Sequence, residues 1–263
     1  MSRPVIALLT DFGLRDHYVG SMKAAALSVC PEATLVDITH EIAPHDVLDG
    51  ALQLAACYRI FPAGTVFVAV VDPGVGSARR GMAVEAGDYR FVAPDNGVLS
   101  GVLRETPAKR LVELTERRFF RPTVSRTFEG RDRFAPAAAW LLRGIELTAL
   151  GRPLQNPHLL TLPQATVDVD GVNGEIVRID RFGNLVTSID RKTLERFASG
   201  QSFAIQAGGH PVARLVGTYA EIGEDEVCAL FGSTDYLELA ARSTRASDRL
   251  GLGPGAPVAI RRA

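Results

Sequence analysis

The sequence predicts an α/β protein with two domains: a larger amino-terminal one on a mainly parallel sheet and a smaller carboxy-terminal one made of short strands. Three observations carry this. Between residues 5 and 71 apolar runs alternate with helical periods in the order strand–helix–strand–helix–strand, a pattern that makes right-handed crossovers and parallel pairing. The run Val66-Phe67-Val68-Ala69-Val70-Val71 is apolar at every position, as a strand buried on both faces must be. From Gly151 to Pro163 the pattern loosens into Gly, Pro and Asn, and beyond it the chain becomes a series of short β-patterned runs.

In order, Val5 to Leu9 is a first buried strand, and Tyr18 to Val29 is a helix with Val19, Met22, Ala26 and Val29 on one face. Pro31 closes that helix. Thr34 to Ile38 is a second strand, and Val47 to Tyr58 a second helix with Asp46 placed to cap it. The apolar run 66–71 follows. Met82–Glu85 and Tyr89–Ala93 read as a hairpin across Gly87-Asp88, with a turn at Pro94–Gly97 and a short helix from Val98. A strand over 110–114 precedes a helix from Phe134 to Arg143, whose Pro136 fits the first turn. Residues 1–155 thus form the amino-terminal α/β domain, 156–163 a linker, and 164–263 the carboxy-terminal domain. The last contains strands near 174–180, 185–189, 202–206, 212–216, 227–231, 236–240 and 258–261, enough for a small barrel or sandwich.

Composition narrows the function. With 263 residues, 46% apolar and 22% charged, the chain has the profile of a globular protein with a sizeable core. A net charge of −1 gives no general attraction to nucleic acid or acidic membranes. No apolar run nears the ~18 residues of a membrane span, and Met1-Ser2-Arg3-Pro4 enters a strand without a leader pattern. The expected location is the cytoplasm. Cys30, Cys57 and Cys228 are widely spaced and give neither a disulfide framework nor a zinc site.

The chemistry concentrates at strand ends. The run 66–71 passes into Asp72-Pro73-Gly74-Val75-Gly76-Ser77-Ala78-Arg79-Arg80, where proline stops pairing and a glycine loop returns an arginine. An acid at the carboxyl end of a buried strand sits where open α/β sheets bind ligands. A turn with Asp72 as a cap and Arg79 in solvent is the plainer alternative. Asp11 and Glu41 end the other two parallel strands, so Asp11, Glu41 and Asp72 are expected along one crevice. Asp11 with Asp16 suits a ribose diol, although Asp16 is also placed to cap the first helix. His17, His40 and His45 match no compact metal-ligand spacing, and no metal is expected. There is no glycine-lysine phosphate loop, dinucleotide fingerprint or nucleophile elbow. In the second domain Asp180-Arg181-Phe182-Gly183-Asn184 links two strands; it is either a hairpin tip or an aromatic face and amide for an adenine base. Phe231 to Tyr236 is a second such loop.

Taken together, Leu9-Thr10-Asp11-Phe12-Gly13 with Asp16, Val71–Gly76 with Arg79, Ala93-Pro94-Asp95-Asn96-Gly97, Phe128-Glu129-Gly130-Arg131-Asp132 and Asp180–Asn184 resemble the S-adenosyl-L-methionine hydroxide adenosyltransferases, water-using relatives of the fluorinases and chlorinases. The resemblance spans nearly the whole chain in order. It implies an amino-terminal α/β domain, a carboxy-terminal β-barrel, and a homotrimer with each site between one subunit's first domain and its neighbour's second. It implies S-adenosyl-L-methionine as substrate with no cofactor, and neither nucleic acid nor membrane is expected as a partner. Asp11 would hold the ribose hydroxyls and Asp16 would lie near the methionine end. Asp180, Phe182 and Asn184 would serve the methionine and adenine parts, and Ser233 the methionine carboxylate. Asp72 and Arg79 would belong to a water-activating set of Asp, Arg and His. Here the sequence departs, because Glu129 stands where the family has His; Arg242 likewise falls where the family often has Asn. Glu129 is expected to pair with Arg79 or to relay the proton, leaving Asp72 nearest the water, or else to point into solvent. The implied reaction is hydrolysis to adenosine and L-methionine. Halide use and plain ligand binding are the alternatives, the first disfavoured because halide-using relatives carry an aromatic residue at the place of Asp72.

Overall fold

The computed structural model describes residues 4–262, so Met1 to Arg3 and the reading placed on them lie outside the described residues. The chain divides into two compact units, Met1–Leu162 and Pro163–Ala263.

The first unit contains β1 (Val5–Thr10), α1 (Tyr18–Val29), β2 (Thr34–Thr39), α2 (Val47–Cys57), β3 (Val66–Val70), β4 (Gly81–Ala86), β5 (Tyr89–Pro94), α3 (Ser100–Glu105), β6 (Ala108–Leu114), α4 (Ala135–Leu142) and β7 (Gly151–Pro153). Its sheet runs β2-β1-β3-β5-β4-β6-β7. β1 pairs in parallel with β2 and β3, and β3 with β5. Then the direction changes: β4 pairs antiparallel with β5 and β6, and β6 with β7. The sheet is therefore mixed, not mainly parallel. The cause is the Gly87-Asp88 hairpin, which joins β4 and β5 without a crossover helix and so forces them antiparallel. Successive residues of a strand point to opposite faces, and here each face has its own core. Ile6, Leu8, Val66, Val68 and Val70 pack with Met22 and Ala26 of α1 and the alanines of α4. Ala7, Leu9, Phe67, Ala69 and Val71 pack with Leu54 of α2 and Val102 of α3. That sandwich leaves the carboxyl ends of β1, β2 and β3 free to carry loops. Residues 156–162, read from the sequence as linker, are tied to this unit: His158 N donates to Asp95 Oδ1 at 2.7 Å and Leu160 N to Ser100 Oγ at 2.8 Å.

The second unit contains β8 (Thr166–Val167), β9 (Gly171–Ile179), β10 (Leu185–Asp190), α5 (Arg191–Ala198), β11 (Phe203–Ala207), β12 (His210–Val212), β13 (Val227–Phe231), β14 (Tyr236–Ala241), α6 (Ala246–Leu250) and β15 (Pro257–Arg262). Seven strands run β12-β11-β15-β9-β10-β14-β13, with β8 paired to β9, and all named pairings are antiparallel. The two ends of the sheet approach each other, since Ala213 N and Val216 N just after β12 donate to Val227 O and Ala229 O of β13 at 2.9 and 2.8 Å. The sheet is nearly barrel-shaped around a core that includes Val172, Ile176, Leu185, Leu239 and Ile260. The strand expected over 212–216 keeps only its start. α5 was absent from the sequence expectation although its signals are present: the Asp190 carboxylate accepts from Thr193 N at 2.9 Å, and Leu194, Phe197 and Ala198 form a buried face at helical spacing.

Among the described residues no helix is long and apolar enough to cross a membrane, and no group of three or more His, Cys, Asp or Glu is placed to hold a metal ion.

Candidate active site

β3 delivers Asp72 to the sheet edge directly after the fully buried Val71. The Asn96 amide nitrogen donates to Val71 O at 2.7 Å, which fixes the backbone on the amino side of Asp72. On the other side the loop turns back through Gly76, whose φ of +78° suits glycine and where a Cβ would lie 2.5 Å from Arg126 O. That close approach locks loop 72–80 against loop 121–128, and Arg126 Nη2 adds a bond to Gly76 O at 3.1 Å. The loop returns Arg79 onto Asp72. Nε donates to Oδ1 at 2.7 Å and Nη2 donates to Oδ2, a bidentate fork. The two side chains are 5% and 10% exposed, so neither the capping turn nor a solvated Arg79 describes them.

Glu129 joins this pair. It stands at the entry to a π-helical turn, Gly130–Phe134, that leads into α4. Its Oε2 accepts from Arg79 Nη2 at 2.6 Å and faces Arg133 Nη1 at 2.9 Å. The result is an alternating chain, Asp72–Arg79–Glu129–Arg133, with the Arg79 guanidinium 5.4 Å above the Phe134 ring. Burial raises the proton affinity of Asp72 above the usual aspartate range; Arg79 pulls the other way, and the nearby charge of Glu129 adds to the rise. A carboxylate of this kind, held rigidly and with an elevated affinity for protons, suits a general base. The remaining acid of the motif is structural. Asp132 is fully buried and accepts from Arg131 Nε at 2.7 Å, Ser125 N at 2.8 Å and Arg121 Nη1 at 3.2 Å.

Asp11 follows β1, whose Thr10 is in register with Val70 of β3, so Asp11 and Asp72 lie at neighbouring strand ends. Asp11 Oδ2 accepts from His45 N at 2.9 Å. The buried His40 shares a hydrogen bond of 2.8 Å between Nδ1 and Thr10 Oγ1, and its Nε2 lies 3.0 Å from Asp37 Oδ1, a network that braces the end of β1. Asp16 is exposed and does not cap α1; His17 occupies the N-cap without a side-chain bond. Glu41 is exposed as well. His17, His40 and His45 do not converge. Phe12 and Phe128, chain neighbours of Asp11 and Glu129, form an aromatic cluster with Tyr18, with ring centroids 5.2 to 6.1 Å apart.

In the second unit Asp180 organises its loop. Oδ1 accepts from Phe182 N at 2.9 Å and Asn184 N at 2.8 Å, and Oδ2 accepts from the Asn184 amide at 2.9 Å. Gly183, at φ +86°, passes so close to Arg245 that a Cβ would overlap it. The hairpin reading and the recognition reading are thus compatible: the turn is rigid and leaves the Phe182 ring 76% exposed. Ser233 is exposed at the tip of the loop after β13, and Asp235 two residues on accepts from Arg191 Nε at 2.9 Å. The sequence reading passed over Arg133 and Asn96. Arg133 had a signal, the Glu-to-Arg spacing of four on a helical turn. Asn96 stood within the Ala93–Gly97 motif but nothing local pointed to its role, because its bond to Val71 O depends on how β5 lies beside β3.

Residues 6–151 match the SAM hydroxide adenosyltransferase N-terminal domain, and residues 174–259 the C-terminal domain of the same family. A Thermus thermophilus protein named (R)-S-adenosyl-L-methionine hydrolase is 37% identical over 268 residues, covering 98% of this chain and 99% of that protein. A fluorinase of Actinopolyspora mzabensis is 31% identical over 293 residues, covering 99% and 98%. The crystal structure of an uncharacterized conserved protein from Thermotoga maritima superposes with a TM-score of 0.92 at 33% identity, covering 98% of this chain and all of that one.

Proposed function

This chain belongs to the SAM hydroxide adenosyltransferase family, and from that membership we propose that it hydrolyses S-adenosyl-L-methionine to adenosine and L-methionine. A water oxygen bonds to ribose C5′ as the C5′–sulfur bond breaks, and its electron pair returns to sulfur. The sulfonium leaves as a neutral thioether, so no general acid is needed on that side. The demand falls on the nucleophile, which must be held in line and must lose a proton.

The observation that carries this reading is the buried Asp72–Arg79 pair at the end of β3. Asp72 takes the proton, Arg79 fixes its orientation, and Glu129 holds the far side of Arg79. Asp11 binds the ribose hydroxyls and Asp16 lies toward the methionine end. Asp180, Phe182 and Asn184 serve the adenine and methionine parts, and Ser233 the methionine carboxylate. These assignments rest on motif positions together with the contacts described above. The same reading makes the protein a cytoplasmic homotrimer with a β-barrel as its second domain. Each site combines the first unit of one subunit with the second unit of its neighbour, and S-adenosyl-L-methionine and water are the only reactants.

Halide use is disfavoured by charge. The Asp72–Arg79–Glu129–Arg133 set is balanced overall, but an anion arriving beside Asp72 meets its carboxylate, and Arg79 Nε, Nη2 and Nη1 already donate to Asp72, Glu129 and Arg80 O. The test is incubation with S-adenosyl-L-methionine in ¹⁸O-water, with and without chloride or fluoride, followed by chromatography and mass spectrometry. Adenosine and methionine in equal amounts, with ¹⁸O in the 5′-hydroxyl and no 5′-halo product, is the expected result. Ligand bound but unchanged would make the protein a binder.

A further inference from the structure

Two carboxylates on one guanidinium is an unstable arrangement unless something balances the second. Asp72 and Glu129 both bond Arg79 Nη2, so each competes with the other for the same positive charge. Arg133 resolves the competition from one turn along the chain, with Nη1 2.9 Å from Glu129 Oε2. Its Nη2 donates to Leu114 O at 3.0 Å at the end of β6, and its guanidinium lies 5.4 Å from the Phe120 ring and 5.9 Å from the Phe134 ring. Packing alone does not account for an arginine there. The side chain is only 16% exposed, and its Nε is buried with no hydrogen-bond partner among the described residues. Burying a guanidinium that is incompletely bonded is costly. Among the described residues the neighbouring arginines have other partners: Arg121 and Arg131 pair with Asp132, and Arg126 donates to Gly76 O. The groups facing Glu129 are therefore Arg79 from the loop after β3, Arg133 from its own turn, and Asp72 across Arg79.

We propose that Arg133 is a positioning residue for the hydrolysis: it supplies the charge that lets a glutamate stand at position 129, leaving the fork of Arg79 on Asp72 intact. With Arg133 the set holds two carboxylates against two guanidiniums; without it one negative charge is unmatched, and the carboxylate pair takes up a proton at higher pH. An opposite charge at contact distance moves a carboxyl pKa by about 1–3 units. Loss of Arg133 is thus expected to move the acid limb of the kcat profile upward by about that much, with KM held within a few-fold.

The proposal rests on the hydrolase reading, and the experiment separates the two. Parent, Arg133→Met, Arg133→Gln, Arg133→Lys, Glu129→Gln and the double variant Arg133→Met/Glu129→Gln are compared by pH–rate profile, thermal melting and carbon-13 titration of the side-chain carboxyls. The expected pattern is an upward shift of the limb in the two neutral variants, none in Arg133→Lys, and a double variant that matches Glu129→Gln. A limb unmoved in both neutral variants overturns the proposal, as does an Arg133→Lys shift equal to theirs. If neither neutral variant folds, Arg133 is a folding residue and the proposal falls. If the parent makes no adenosine, the hydrolase reading fails, and the carbon-13 titration alone decides: an upward shift in Arg133→Met supports the charge role and no shift refutes it.

Discussion

Asp72 is subject to opposed forces. Burial and the neighbouring charge of Glu129 favour its protonated form, while the fork of Arg79 favours the carboxylate, and burial prevails. If Asp72 is the base proposed above, activity is expected above the raised value and lost as pH falls through it, at a higher pH than an ordinary aspartate would give. For folding the sign reverses. A carboxyl that binds its proton more tightly in the folded state stabilises the fold at low pH, and that contribution disappears as pH rises through the raised value. In that proposed role Asp72 would act in the range where it helps the fold least. Asp72→Asn is expected to lower kcat by roughly 10²-fold or more, as for removal of a general base, with KM changed only a few-fold. Its melting temperature should depend less on pH than the parent's over the same window. Steady-state kinetics and calorimetry across pH check both halves.

At the scale of elements, the site depends on two loops fitting each other. At Gly76 the backbone conformation and the contact with Arg126 O both exclude a side chain. Gly76→Ala should separate loops 72–80 and 121–128, lowering turnover at least tenfold by displacing Arg79 while the core stays folded; near-UV circular dichroism and kinetics together distinguish this from global unfolding. Asp132 ties the second loop. Burial would raise its pKa, but Arg131, the Ser125 amide and Arg121 outweigh burial and hold it below the usual range. Its stabilisation is present above the ordinary aspartate pKa and lost as pH falls through the lowered value. Arg121 and Arg131 are partly exposed and can be resolvated, so Asp132→Ala should cost about 1–3 kcal/mol by urea unfolding, less than stranding a buried charge would. Much of this was legible in the sequence. The apolar run of β3, the Asp46 cap of α2 and the hairpin at Gly87-Asp88 all follow from local rules, and the structure contains each. The mixed sheet was legible only in part: the hairpin already requires one antiparallel pair, but local pattern says neither which of its strands lies beside β3 nor that β6 and β7 extend the sheet antiparallel. The bond between Glu129 and Arg79 was open for a related reason: 50 residues separate the two, and only the fold brings them together.

The whole molecule carries its candidate residues on two separate units, Asp11, Asp72, Arg79 and Glu129 on the first and Asp180, Phe182, Asn184 and Ser233 on the second. If the active unit is an oligomer with shared sites, inactive Asp72→Asn and inactive Asn184→Ala chains should restore activity when mixed under conditions of subunit exchange, since some sites combine two intact halves. No recovery, with exchange verified by mass spectrometry, would mean that each chain builds its own site. Within the first unit, β5 is bound on one side to β4 through a tight hairpin and on the other to β3 through a parallel ladder. These two seams close on different clocks. A hairpin forms in about 1–10 μs, whereas parallel strands wait for long loops to close before any contact rewards them. The segment from Asp72 to Arg80 bridges the two seams, from β3 to β4, and is expected to reach its final shape only after both have shut. The Asp72–Arg79 pair is therefore expected among the last features of this unit to mature, so that during refolding loop 72–80 gains hydrogen-exchange protection after β3 and β5 do, and a half-folded chain would carry the residues of the site without its chemistry.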